Sequence, residues 1–174
     1  MIIDRPRSHY IFVFPRDYVH GRYNYINYKG KDLTNQEYLE YWGKWIILGP
    51  KDDLAELAKK VDPHVEKKII PAAKYEREVL PEWGLGECLM YVYSDRRQRE
   101  EVREVLASLD VEDKIWAFER ESVEGWMPGG RLLEKWISGK GLSAEKAEKV
   151  REDARKKFEE MFQDPHALFT GVDQ

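Results

Sequence analysis

The amino-acid sequence predicts an α+β domain: a curved, mixed to mostly antiparallel sheet with helices on one face, followed by helices at the C-terminus. Three observations carry this. Short apolar, β-forming runs outnumber the helical segments that could serve as crossovers between parallel strands. Two of those runs are each followed at once by a capped segment with apolar residues at helical spacing. Beyond Phe118 the chain becomes helical and polar, as if the sheet were complete.

Taken in order, Tyr10-Ile11-Phe12-Val13-Phe14 is a continuous apolar run closed by Pro15 and reads as a buried strand. Tyr18 to Tyr28 is polar and aromatic, with Gly and Asn, and reads as a loop or irregular hairpin. Thr34 and Glu37 have capping-box spacing before a helical patch of Tyr38, Leu39, Tyr41 and Trp42, with Gly43 as its end. Trp45 to Leu48 is a strand stopped by Gly49-Pro50. Asp52 or Asp53 then caps a helix with Leu54, Leu57, Ala58 and Val61 on one face, and Pro63 breaks that pattern. A strand follows over Ile69 to Tyr75, and Pro81 to Gly86 is a loop. Cys88 to Tyr93 is a buried strand; Asp95 with Gln98 starts a helix that carries Val102, Val105, Leu106 and Leu109. Ile115 to Phe118 is the last strand. Leu132, Leu133, Trp136 and Ile137 form a short helix broken by Gly139 and Gly141, and Ser143 caps an amphipathic helix with Ala147, Val150, Ala154, Phe158 and Met161 or Phe162. One domain over residues 1–174 is expected, with a sheet core at about 8–120 and a helical extension at about 128–163.

Composition narrows the function classes. With 42% hydrophobic and 36% charged residues in a chain of 174, a core can form under a charged surface. The 29 basic and 33 acidic residues nearly cancel at net −4, which argues against a whole-surface footprint for nucleic acid or an anionic membrane but leaves room for a local basic patch. A single cysteine, Cys88, excludes an internal disulfide and points to the cytoplasm, where it reads as a small core residue. No apolar run suits a signal peptide or a membrane span.

His9, His20, His64 and His166 lie in four segments without ligand-pair spacing, so neither a metal nor a cofactor is expected. There is no nucleophile elbow and no phosphate-loop lysine. An enzyme would have to use His64 or Glu119 as acid or base, which ranks last among the readings. More informative are the cations set in apolar strands: Lys44 beside Trp45, Lys74 beside Tyr75, and Arg120 just after Phe118. Either each pairs with a nearby carboxylate such as Glu76, Glu78 or Glu119, or they converge on an anion. Trp83 and Trp126 fall in Gly- and Pro-containing loops where an indole can stack on a ligand; Trp116 and Trp136 read as structural.

Gly43-Lys44-Trp45 opening a strand before an acidic-capped helix, then Ala73-Lys74, then Met90-Tyr91-Val92-Tyr93 before a charged helix, resembles the family of the basophilic leukaemia-expressed protein, whose fold is similar to that of the cap-binding translation initiation factors. The likeness spans about residues 42 to 120. It implies a curved, largely antiparallel sheet backed by helices, with a concave face or mouth suited to a nucleotide-like or phosphorylated ligand. Lys44, Trp45 and Lys74 match the family pattern, whereas its lysine after the last strand is replaced here by Glu119-Arg120, and the paired tryptophans of the cap-binding factors have no assignable counterparts.

The functional expectation is a binding module for an anionic small molecule or RNA, with Lys44, Lys74 and Arg120 as the anion ligands and Trp45 or Trp83 stacking. The alternative is a protein interaction module that forms a homo-oligomer, or docks on another chain, through the amphipathic helix from Ser143 to Phe162.

Overall fold

The computed structural model describes residues 1–81 and 85–161. The chain divides into two compact units, the first of Met1–Leu33 with Tyr41–Ala117, the second of Thr34–Glu40 with the residues from Phe118 on.

The first unit is built on a six-stranded, mostly antiparallel sheet that is not closed into a barrel. In chain order its strands are β1 (Ile2–Asp4), β2 (Tyr10–Val13), β5 (Trp42–Gly49), β6 (Ala72–Glu76), β7 (Cys88–Asp95) and β8 (Ile115–Phe118), and their spatial order is β1-β2-β6-β7-β5-β8. Two further strands, β3 (Asn27–Tyr28) and β4 (Lys31–Asp32), make a separate hairpin. Its turn holds Lys29 at φ 50° and Gly30 at φ 80°, the doubly left-handed backbone a two-residue hairpin turn requires. A single helical turn, α1 (Arg16–Val19), precedes it. The tyrosine-rich stretch is therefore short helix plus hairpin, and it carries rings onto the sheet: Tyr18 and Tyr25 lie 4.4 and 5.3 Å from the Phe14 ring.

The longest helix of the first unit, α3 (Lys51–Glu66), packs Leu54, Leu57, Ala58, Val61 and Val65 on the sheet. Neither Asp52 nor Asp53 caps it. Pro50 occupies the N-cap position, and the two aspartates sit in the first turn, where the helix dipole favours them. Pro63 does not end the helix either. A mid-helix proline removes one ladder bond, but Val61 and Val65 on either side are fully buried, and their burial outweighs that loss. The following strand consequently starts at Ala72, because Ile69 and Ile70 close the helix by donating to the His64 carbonyl. The strand and helix of β7 and α4 (Arg99–Ser108) fall where the sequence puts them, with Val102 and Leu106 buried and Asp95 accepting from the Arg97 N–H in the short turn between.

All these helical side chains meet one face of the sheet. Ile11, Val13, Trp45, Ile47, Ala73, Tyr75, Cys88, Met90 and Val92 supply that face, each alternating with a neighbour on the other. Gly43 belongs here for a reason of space: a Cβ would meet the Trp116 ring at 2.5 Å and the Ala117 carbonyl at 2.7 Å.

In the second unit the capping box forms as its spacing predicts. Thr34 Oγ1 accepts from the Glu37 N–H at 3.2 Å while Glu37 Oε1 accepts from the Thr34 N–H at 3.4 Å, and α2 (Asn35–Tyr41) follows. The helix stops one residue short of the expected patch, since Trp42 is already strand. A helix not anticipated from sequence, α5 (Glu119–Gly125), comes next. In α6 (Arg131–Lys140), Gly139 lies inside the helix and Gly141, left-handed at φ 59°, ends it. Ser143 caps α7 (Ala144–Met161) by accepting from the Lys146 N–H. Ala147, Val150 and Ala154 of α7 pack with Leu133 and Ile137 of α6. The expected apolar contacts of Phe158, Met161 and Phe162 lie outside what is described.

Candidate functional site

The face of the sheet opposite α3 and α4 carries the chemistry. Because side chains alternate, Trp45, Ala73, Tyr75 and Val92 in the core commit Lys44, Lys74, Tyr91 and Tyr93 to this face. Lys44 stands opposite Tyr93 in the β5–β7 pairing, and Lys74 opposite Tyr91 in the β6–β7 pairing, so the two lysines flank the central strand in adjacent rows. Their ammonium groups converge on its rings. Lys44 Nζ is 4.9 Å from the Tyr91 centroid; Lys74 Nζ is 4.1 Å from Tyr10, 5.8 Å from Tyr91 and 6.0 Å from Tyr93. Cations over aromatic faces gain about 0.5–2 kcal/mol each and keep a fixed direction. Both lysines are half-buried, their stems against the rings.

Glu76 lies on the same face, two residues along β6 from Lys74. It is 1% exposed, its Oε2 accepts from the Leu89 N–H at 2.8 Å, and its Oε1 is buried without a partner. Burial pushes its carboxyl up, toward the neutral form. Tyr10, opposite Glu76 across the β2–β6 pairing, has its hydroxyl pushed up by burial and by that carboxyl.

Trp45 does not share this face. Strand alternation sends its indole into the core at 7% exposure, where it donates to the Arg99 carbonyl at 3.1 Å and meets the Trp116 ring edge-on at 5.4 Å. It is therefore not a stacking platform beside Lys44. Trp83 lies outside the described residues. Arg120 belongs to the second unit, where its guanidinium rests 4.4 Å from the Phe118 ring centroid. It lines a hollow of about 280 Å³ with Gln36, Leu39, Val123 and two carboxylates, Glu40 and Glu124, whose charge opposes any anion drawn to it. Trp126 and Trp136, also in the second unit, are 48% and 42% exposed, so Trp136 is less enclosed than its helical spacing suggests.

One constellation went unread in the sequence. The Arg97 guanidinium is sandwiched between Tyr28 and Tyr41, 3.9 and 4.0 Å from their ring centroids, while its Nε and Nη2 donate to Asp95 at 3.0 and 2.9 Å. Asp95 is fully buried. The arrangement ties the β3–β4 hairpin to the end of β7. The only local signal was Asp95 two residues before an arginine; the tyrosines come from segments far away in sequence. Tyr10 and Tyr91 likewise carry only a strand signal in the sequence.

Cys88 is completely buried, and burial pushes its thiol up, away from the reactive thiolate. His64 sits near the end of α3 with Nδ1 buried and without a partner; His166 lies outside the described residues. Among the described residues no three His, Cys, Asp or Glu side chains are grouped to hold a metal, and no helix is long and apolar enough to cross a membrane. No family model, no curated protein and no solved structure matches the chain.

Proposed function

We propose that the first unit is a binding module for an anionic ligand, phosphorylated, nucleotide-like or nucleic acid, with Lys44 and Lys74 as its anion ligands. The observation that carries this reading is the convergence of these two ammonium groups on the Tyr91 ring from strands on either side of it. Two strand cations on one face raise the local potential, although the chain as a whole is net negative at −4. Arg120, shared with Glu40 and Glu124, contributes less to this reading than the lysines. We also propose distant kinship with the basophilic leukaemia-expressed family, supported by the order strand, helix, strand, strand, helix over β5 to α4 and by Lys44 and Lys74 on the sheet face opposite α3 and α4.

The test is affinity for a polyphosphate such as ATP by titration calorimetry at several salt concentrations. Affinity is expected to fall as salt rises and to drop by about 1–3 kcal/mol when Lys44 or Lys74 becomes glutamine, because each makes a charged contact. Salt-independent binding, or full affinity in both variants, would refute it. Association through the terminal helix has less support: Ala147, Val150 and Ala154 of its apolar face are packed within the chain's own second unit.

A further inference from the structure

We infer that the hollow in the second unit is a site for a free α-amino acid with an aliphatic side chain, bound as its zwitterion. The site lies apart from the lysines of the first unit and does not rest on the anion reading above.

The walls are two helical stripes. α2 and α5 present residues at positions i, i+3 and i+4: Gln36, Leu39 and Glu40 on one, Arg120, Val123 and Glu124 on the other. Residues at that spacing share one helix face. Both triplets line the same hollow of about 280 Å³. Each wall is also held in place. α2 starts at the Thr34–Glu37 capping box. The end of α5 is close-packed, for a Cβ on Gly130 would run into the Glu124 carbonyl and one on Gly125 would meet Leu132 Cδ1 at 2.9 Å.

The hollow carries charge of both signs. Glu40, Glu124 and Arg120 all line it, yet among the described residues none of the three forms an ion pair. The Arg120 guanidinium is oriented instead by the Phe118 ring, 4.4 Å from its centroid. A ligand with a single charge satisfies one side and meets like charge on the other. A zwitterion answers both. Its carboxylate suits the planar guanidinium fork, and its ammonium has three donors for two carboxylates and the Gln36 amide oxygen. Leu39 and Val123, half-buried beside the charged positions, supply apolar surface for an aliphatic side chain. Size narrows the ligand further: pockets for drug-sized molecules enclose about 300–1,000 Å³, so a hollow at the bottom of that range suits a single amino acid.

The experiment titrates the full chain with leucine, leucine amide, which lacks the carboxylate, and N-acetyl-leucine, which lacks the ammonium, and follows binding by calorimetry. Leucine is expected to bind at least about tenfold more tightly than either analogue. Arg120→Gln should bring leucine down to the affinity of its amide, and Glu40→Gln/Glu124→Gln to that of the acetyl derivative, with circular dichroism showing the helices retained. The Lys44→Gln/Lys74→Gln variant should bind leucine as the wild type does, which separates this site from the anion reading. Leucine amide binding as tightly as leucine would reduce the hollow to a plain cation site and overturn the inference. So would the failure of leucine to bind saturably to the wild-type chain.

Discussion

Replacing Arg97 by alanine tests whether the sandwich seen around it stabilises the first unit. Three contributions go with the side chain. Two charge-assisted hydrogen bonds to Asp95, at 3.0 and 2.9 Å, are lost. Two ring contacts, to Tyr28 and Tyr41, are lost. A fully buried carboxylate is left with the Arg97 backbone N–H as its remaining donor in this group. Removing one partner of a buried pair costs about 3–5 kcal/mol. The arginine side chain is 31% exposed, so solvent already screens part of the interaction and the lower end applies, about 3 kcal/mol. Urea denaturation followed by circular dichroism should show a lower midpoint with an unchanged slope. Adding Asp95→Asn to the alanine variant should recover part of the loss, since the buried charge is then gone. Arg97→Lys should fall between wild type and alanine, because an ammonium cannot reproduce the planar bidentate fork. A change below about 0.5 kcal/mol for Arg97→Ala, within the range of an ordinary surface substitution, would refute the argument.

Two glycines in helix and strand predict opposite signs. Gly43→Ala drives a methyl into the Trp116 ring and the Ala117 backbone and should cost about 2–3 kcal/mol in urea denaturation. Gly139→Ala, inside α6 with nothing within 4 Å, should stabilise by about 0.5–1 kcal/mol. The Glu134–Arg151 pair predicts a pH dependence of the second unit. Hydrogen bonds from Arg151, and then from the Gly129 N–H, lower the Glu134 carboxyl from its ordinary 4.5 to about 2. Its contribution is fully present above pH 4.5 and is lost as pH falls toward 2. Glu134→Gln should therefore weaken the unit at pH 7 and make no difference below pH 2, as read by hydrogen exchange in α6 and α7.

Local signals are the most legible in this sequence. Capping at Thr34 and Glu37, the β7–α4 pair and the cap at Ser143 each depend on residues within a few positions of one another, and the structure forms all three. The structure departs from the local rules where tertiary packing overrides them. Pro63 is a breaker by its own chemistry but sits between Val61 and Val65, whose burial holds the helix. Trp45 looked available beside Lys44, yet adjacency in a strand means opposite faces.

The sequence by itself determined the α+β class, the placement of most strands and helices, and the presence of cations within apolar strands, because periodicity, caps and breakers act over a single turn or a few residues. The tertiary structure alone decided which of those cations meet. Strand order puts β7 between β5 and β6, and register sets Lys44 against Tyr93 and Lys74 against Tyr91. The same holds for Arg97, whose two tyrosines lie 69 and 56 residues before it. Pairing between distant strands is selected by the burial of whole faces, and no window of sequence contains that information.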